Sequence, residues 1–208
     1  MVLRLVGSEM CIRDSMNSDI DFYNSLELSL EYAESLLEDA VSNSKSIFHS
    51  PTLSILDTPR TVVLREYDRN ERYMRFHTDL RSKKIHSLNE NNLAFIHAYD
   101  PEKKVQLRLR GNVNLHFNDE TSLLAWNNSR EMSKLCYSVK GAPGEIITHP
   151  EKYDLDKEKI NIEDGYQNFG VLIFKYYELE FLYLKNIGHR RSKFTWKDNK
   201  AQLNWLIP

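Results

Sequence analysis

The chain has 208 residues, of which 41% are hydrophobic and 28% are charged, and its formal net charge is −2. This provides apolar material for one packed core or two small ones, and the uncharged apolar stretches are far shorter than the roughly 18 residues that a membrane span requires. The charge balance argues against bulk electrostatic binding of nucleic acid. Cys11 and Cys136 cannot make a disulfide framework, which favours a reducing cytoplasm.

The first fifteen residues are set apart from the rest. They open with a short apolar run, interrupted by Arg4, that resembles a weak signal peptide. Residues 9–15 resemble translated sequencing-adapter DNA, so we interpret residues 1–15 as a non-native extension and residues 16–208 as a single domain. The alternative is a genuine disordered tail. Deleting residues 1–15 is expected to leave folding and ligand binding unchanged.

The predicted helices follow from apolar spacing and from capping residues. Three are expected: an amphipathic helix of about 20 residues around 26–40, a short helix from an Asp79 cap to Leu88, and residues 120–126 behind an Asn118 cap. The segment 139–168 is polar and rich in Pro and Gly, and we interpret it as loop that includes one short helix.

The predicted strands are numerous, short and closely spaced. Alternating or β-branched stretches place them at 52–56, 61–67, 73–78, 93–99, 105–117, 170–176 and 180–184. A last hairpin includes Trp196 and residues 203–205, and Gly111 indicates a bulge inside its strand. Strands at this spacing with helices outside predict a small antiparallel β-barrel of the α+β class.

Motifs for common chemistries do not occur in the sequence. The seven His residues show no metal-ligand spacing, and Cys136 stands alone as a packed or incidental thiol. Neither a P-loop nor Gly-x-Gly-x-x-Gly nor Gly-x-Ser-x-Gly is found, so NTPase, dinucleotide-binding and serine-hydrolase interpretations have no motif support.

Cations and hydroxyls at predicted strand ends offer one positive signal. Arg60 and Arg65 flank one strand, Thr78 ends the next, and Ser82-Lys83-Lys84 follows it. Together these groups suit a phosphate, although a solvated basic face is the alternative. The run 189–193 is a second basic group, which fits solvated surface or a weak nucleic-acid contact.

The order of these pieces resembles the pyridoxamine 5'-phosphate oxidase family of FMN-binding split barrels, from about Arg60 to Pro208. The matching pieces lie at 60–65, 76–84, 105–113, 129–133, 180–181, 189–191 and 205–208. The resemblance implies an α+β fold, with an antiparallel split β-barrel and flanking helices. It also implies FMN as cofactor and a homodimer with its sites at the interface.

The resemblance assigns roles to individual residues. Cofactor-binding residues would be Arg60, Thr78, Ser82, Lys83 and Lys84 at the FMN phosphate and ribityl chain, Gln106 at the isoalloxazine edge, and Arg191 reaching in from the partner subunit. Substrate-binding residues would be Arg65, Arg130, Ser133 and His189. Trp126 stands where the oxidase has a tyrosine, and Ile187 where it has a catalytic arginine.

The leading hypothesis is therefore a cytoplasmic FMN-binding oxidoreductase that moves hydride from a small-molecule substrate, with no catalytic residue identified. Pyridoxamine 5'-phosphate oxidation is the specific option, and Ile187 favours instead the FMN-binding relatives of undefined substrate. The alternatives are a non-catalytic flavin or haem binding module and, more weakly, a nucleic-acid binder. Neither a metal nor a membrane is expected.

Overall fold

The computed structural model describes residues 21–56, 58–154, 160–198 and 200–208. The interpretation of residues 1–15, including Cys11, and the start of the domain at residue 16 lie outside these ranges. Within them, no helix is both long and apolar enough to cross a membrane.

The described chain contains four α-helices and nine strands in one antiparallel sheet. The helices are α1 (Leu26–Ser42), α2 (Lys84–Glu90), α3 (Glu120–Asn127) and α4 (Glu131–Ser138). The strands are β1 (Thr52–Ile55), β2 (Thr58–Thr61), β3 (Leu64–Asp68), β4 (Tyr73–Asp79), β5 (Leu93–Asp100), β6 (Val105–His116), β7 (Phe169–Tyr183), β8 (Arg190–Lys197) and β9 (Lys200–Leu206). Short 3₁₀ turns occupy Asp21–Asn24, Ile47–His49, Pro150–Tyr153 and Ile162–Asn168.

The strand order shows that the sheet curls towards closure. The hydrogen-bonded path runs β2-β1-β5-β6-β7-β4-β3, and β8 and β9 extend it from β7. β2 and β3 lie at opposite ends of that path, yet only Val62 and Val63 separate them in the chain. Two residues span about 10 Å at most, so the two edges must approach each other. The prediction of one strand at 61–67 was therefore wrong, because the chain changes its pairing partner at residues 62–63.

The long helix α1 forms as its sequence predicts. The Ser25 side chain accepts a hydrogen bond from the backbone N–H of Leu28, which satisfies one of the free donors of the first turn. The apolar face buries Ala33, Leu37 and Ala40, and the helix packs on β3 and on the strands β7–β9. This face joins the inner sheet residues in the main core, and a smaller core surrounds Trp126.

Gly111 marks a bulge, as predicted. The β6–β7 register shifts between Arg110 and Gly111, and a Cβ on Gly111 would lie 2.2 Å from the Lys175 backbone oxygen. Only a residue without a side chain permits this approach. The bulge lets β7 bend near Tyr177 rather than end there, so the two strands predicted at 170–176 and 180–184 are one 15-residue strand.

Three local predictions about helices need correction. Asp79 ends β4 instead of capping α2, because its carboxylate accepts the backbone N–H of Arg81. Asp119, not Asn118, caps α3, in a reciprocal pair with Ser122. Helix α4 was missed because it is short and polar overall, and Leu135 is its single buried residue.

Candidate functional site

Arg60 and Lys84 lie close together beside the β1–β2 hairpin. Arg60 is on β2, and Lys84 begins α2, which contacts β1. Burial lowers the pKa of Lys84 to about 8, and the positive charge of Arg60 lowers it as well, whereas Asp79 raises it. Burial also lowers the pKa of Arg60. The two cations are therefore near enough to repel each other while partly withdrawn from water.

Hydroxyl groups accompany these cations, and we call Arg60, Thr78, Ser82 and Lys84 the cation cluster. The Nζ of Lys84 donates to the buried Ser82 Oγ at 3.1 Å. Thr78 is buried at the end of β4, and its hydroxyl makes a long hydrogen bond of 3.4 Å to the Asp79 backbone oxygen. Lys83, the other predicted member, is exposed beside the cluster.

Asp79 does not neutralise the cation cluster. Its carboxylate accepts hydrogen bonds from three nitrogen atoms of Arg81, the shortest at 2.6 Å. Arg81 in turn donates to the Val139 backbone oxygen at 2.8 Å. Among the described residues, neither Arg60 nor Lys84 forms an ion pair with a carboxylate. Two partly buried cations with hydroxyl neighbours are chemically suited to a doubly charged anion such as a phosphate.

Gln106 and Arg191 lie in one row across the outer face of the sheet. Gln106 on β6 pairs with Leu182 on β7, which pairs with Arg191 on β8. Residues directly opposite in register share a face, so these side chains leave the sheet on the same side, about 10 Å apart. His97 on β5 is 3.2 Å from Gln106 Oε1. We call Gln106, Arg108, Glu180 and Arg191 the outer-face row.

A carboxylate organises the outer-face row. Glu180 Oε2 accepts a 2.6 Å hydrogen bond from Arg191 and lies 3.5 Å from Arg108 Nη1. Two residues earlier on β7, Glu178 forms an ion pair with Lys193 at 2.8 Å. Glu180 was not among the site residues predicted from sequence, although alternation with buried Leu179 and Phe181 was a signal that it faces outward.

Within one chain, Arg60 of the cation cluster and Gln106 of the outer-face row project from opposite faces of the sheet. Arg60 is the register partner of Leu53, which is completely buried, whereas Gln106 is on the outward side of β6. No hydrogen bond or ion pair between the two groups occurs among the described residues. The structure therefore brings Arg60 and Lys84 together, and Gln106 and Arg191 together, without joining the two pairs.

Three of the four predicted substrate-binding residues lie around α4 and β3. Arg130 precedes α4, and the Ser133 backbone N–H donates to its carbonyl at 2.9 Å. Arg65 is exposed on β3, close to Tyr137 of α4 and to His77. Burial lowers the pKa of His77 to about 3, and Arg65 contributes to the shift, so this imidazole is neutral.

His189 lies elsewhere and lines a cavity of about 460 Å³ near the carboxyl terminus. Arg191 and Trp205 line the same cavity. The His189 Nδ1 accepts the Lys185 backbone N–H at 3.2 Å. The predicted substrate residues therefore form two groups in a single chain, and His189 belongs with Arg191.

Two further positions bear on the predicted chemistry. Trp126 is buried in the smaller core against Phe169 and Tyr166, which leaves its ring unable to take the place of a substrate-facing tyrosine. Ile187 is 81% exposed near His189. Cys136 is a free, exposed thiol, and the described residues contain no group of three or more His, Cys, Asp or Glu arranged to hold a metal ion.

Comparisons with known proteins agree with these observations. Residues 31–117 match the family model described as pyridoxamine 5'-phosphate oxidase, FMN-binding domain. A search of curated proteins gives no match.

Solved structures share the fold at low sequence identity. A pyridoxamine 5'-phosphate oxidase-related, FMN-binding protein from Nostoc punctiforme PCC 73102 is 19% identical, with a TM-score of 0.71 over 86% of this chain and 96% of that one. PhzG from Burkholderia lata 383, solved with tetrahydrophenazine-1-carboxylic acid, is 18% identical, with a TM-score of 0.61 over 86% of this chain and 90% of that one. The predicted α+β antiparallel split barrel with flanking helices is confirmed.

Proposed function

Because residues 31–117 match the family model described as pyridoxamine 5'-phosphate oxidase, FMN-binding domain, we propose that the protein binds FMN and acts as an oxidoreductase on a small molecule. The observation that carries the proposal is the cation cluster, where Arg60 and Lys84 lie together without a carboxylate partner among the described residues. A cofactor with a phosphate tail supplies the missing negative charge.

The residues of the cation cluster fit the phosphate of FMN. A phosphate carries nearly two negative charges at neutral pH and offers three strong acceptor oxygens. Arg60 supplies a planar fork of donors and Lys84 a compact charge, and Ser82 and Thr78 add hydroxyls. Lys83 is exposed beside them and screens the phosphate from outside the cluster.

The outer-face row fits the ring end of the cofactor. Gln106 carries a donor and an acceptor on one planar amide, which suits the mixed edge of an isoalloxazine. Since Gln106 and Arg60 begin on opposite faces of one chain, we propose that a homodimer completes the site and that Arg191 reaches the flavin of the partner subunit. Bound FMN would supply two-electron, hydride-accepting chemistry.

The substrate side of the site is proposed to hold an anionic or polar small molecule. Arg65, Arg130 and Ser133 would bind it from one subunit and His189 from the other. Ile187 adds an apolar surface beside His189. The cytoplasmic location stays a prediction from the cysteine content.

A comparison of FMN with riboflavin tests the proposal, because only FMN carries the phosphate. Lys84→Met is expected to weaken FMN binding at least tenfold, in line with the loss of one charge-assisted contact, and to leave riboflavin binding within twofold. Lys45→Met, which removes the same charge from an exposed site beyond α1, is the control. Flavin fluorescence titration measures both affinities. A wild-type protein that binds neither flavin, or binds both equally, contradicts the proposal.

A non-catalytic flavin-binding module is the second candidate. It is favoured by Ile187, an apolar residue at a position where a cation would act on substrate. Photoreduced protein should reoxidise at a rate independent of added pyridoxamine 5'-phosphate if this candidate holds. Acceleration or bleaching by that compound supports the enzyme instead.

A further inference from the structure

Glu180 lies where it can control the arginine of the outer-face row. It is on β7 between the two strands that carry Gln106 and Arg191, and its own register partners are Arg108 and Lys193. Its side chain is 13% exposed, so its charge is only partly screened by water. A charge at this depth is costly to bury unless cations compensate it, and Arg191 and Arg108 lie within 2.6 and 3.5 Å of it.

The hydrogen bond between Glu180 and Arg191 is short and occupies only a small part of the donor capacity of the guanidinium. The distance from Arg191 Nη2 to Glu180 Oε2 is 2.6 Å, typical of a strong charge-assisted hydrogen bond. A guanidinium has five N–H donors, and this contact uses one of them. The hydrogen bond therefore fixes the direction of the side chain and leaves donors available to a ligand.

A neighbouring pair offers a matched comparison on the same two strands. Glu178 and Lys193 are 2.8 Å apart, with side chains 19% and 31% exposed, against 13% and 28% for Glu180 and Arg191. The two pairs are alike in strand and burial, and each joins a glutamate of β7 to a cation of β8. They differ in position, since only Arg191 shares a row with Gln106 and faces the cavity at the carboxyl terminus.

The charges of the outer-face row do not cancel completely. Glu180 serves both Arg191 at 2.6 Å and Arg108 at 3.5 Å, so one negative charge faces two positive ones. Removing the carboxylate would release Arg191 and leave both cations without compensation. The first effect loosens a ligand contact, and the second favours a more negative ligand.

We propose that Glu180 is a positioning residue: it holds the Arg191 guanidinium in line with Gln106 and limits the positive charge that Arg191 presents to the flavin. This inference rests on the proposed FMN function. Glu180 acts through Arg191 and makes no contact of its own with the cofactor.

Isosteric variants test the proposal in the full-length protein. Glu180→Gln is expected to raise the Kd for oxidised FMN at least threefold, because Arg191 loses its orientation. It should also raise the flavin reduction potential, since reduced flavin carries negative charge and the uncompensated cation stabilises it. Arg191→Met is expected to raise the Kd and to lower the potential. Glu178→Gln should leave both quantities close to those of wild type.

The double variant separates positioning from a general charge effect. If Glu180 acts on affinity through Arg191, the Kd of Glu180→Gln/Arg191→Met equals that of Arg191→Met alone. Circular dichroism checks folding, and Glu180→Asp, which keeps the charge but shortens the reach, is the second variant if Glu180→Gln does not fold; it should raise the Kd without raising the potential.

Three outcomes would contradict the proposals, and they separate failure of the FMN function from failure of the role of Glu180. Wild-type protein that fails to bind FMN rejects the proposed function and this inference with it. Wild-type binding with Glu180→Gln indistinguishable from Glu178→Gln rejects the inference alone. An undiminished effect of Glu180→Gln on Kd in the Arg191→Met background shows that Glu180 does not act through Arg191, which also rejects it.

Discussion

The cation cluster and the outer-face row place positive charge in contrasting ways. In the cluster, Arg60 and Lys84 lie together with hydroxyl neighbours, and the nearest carboxylate, Asp79, is already bound to Arg81. In the row, Arg191 is held by Glu180 at 2.6 Å. The cluster therefore lacks a paired carboxylate, whereas in the row one carboxylate of the protein compensates part of the positive charge.

Under the proposed function, the two regions contact different parts of one ligand. An uncompensated cation pair gains most from a strongly charged group, such as a phosphate, that replaces the missing counter-ion. A compensated arginine keeps its direction but exerts a smaller field, which suits an uncharged ring system. Charge balance thus distinguishes an anchoring region from an orienting one.

The largest expected effect comes from breaking the bulge that aligns the outer-face row. A Cβ at residue 111 would lie 2.2 Å from the Lys175 oxygen and 2.6 Å from the Tyr176 Cα, and both are backbone atoms. Gly111→Ala is expected to lower the free energy of unfolding by at least about 3 kcal/mol. Asn112→Ala, exposed on the same strand, should change it by less than about 0.5 kcal/mol. Urea unfolding measures both, and equal stability of the two variants would contradict the bulge assignment.

Glu34 allows the contrast between compensated and uncompensated charge to be tested with a buried carboxylic acid. Burial raises the pKa of Glu34 to about 7, although Arg69, shared with Glu38, opposes the shift. Since the folded-state pKa exceeds the unfolded value of 4.5, the stabilisation is complete below pH 4.5 and is lost as the pH rises through 7.

Glu34→Gln is therefore expected to match wild type at pH 4.5 and to be more stable at pH 8 by on the order of 1–3 kcal/mol. Thermal unfolding across that range measures the change. Glu38→Gln, an exposed partner of the same arginine, is the control. A pH-independent difference between Glu34→Gln and wild type would refute the assignment.

The smallest predicted effect is the pH dependence of FMN affinity at the cation cluster. The pKa of Lys84 is lowered to about 8 by burial and by Arg60, so the amine loses its proton as the pH rises through 8. FMN affinity should fall by up to about tenfold per pH unit above 8. Lys84→Arg stays charged and should flatten the profile between pH 7 and 9. A wild-type profile that is already flat would exclude Lys84 as the titrating group.

Much of the fold could be predicted because it depends on local patterns. The apolar repeat of α1, the alternation in β5 and β6 and the lone Gly111 each reflect a structural requirement of one segment. The wrong strand boundaries lie in segments whose structure depends on the strands with which they pair. Residues 61–67 divide between two strands because β2 and β3 pair at opposite ends of the sheet.

The candidate site was predicted less completely than the fold. Arg60, Ser82 and Lys84 were grouped by their positions at predicted strand ends and again by the resemblance, and the structure brings them together. Glu180 was missed because the hydrogen bond to Arg191 spans two strands, and a single strand pattern contains no record of its neighbour.

The sequence by itself determined where polar and apolar residues alternate along a strand and which helix is amphipathic, because these patterns depend on periods of two and 3.6 residues along one segment. It also showed, through Gly111, where a residue without a side chain is needed. Only the tertiary structure decided which charges are compensated. Strand register places Glu180 against two arginines, and the fold brings Arg60 near enough to Lys84 to lower its pKa, with no ion pair to a carboxylate at either residue among the described ones. Such balances depend on distances between segments far apart in the chain, and those distances exist only after folding.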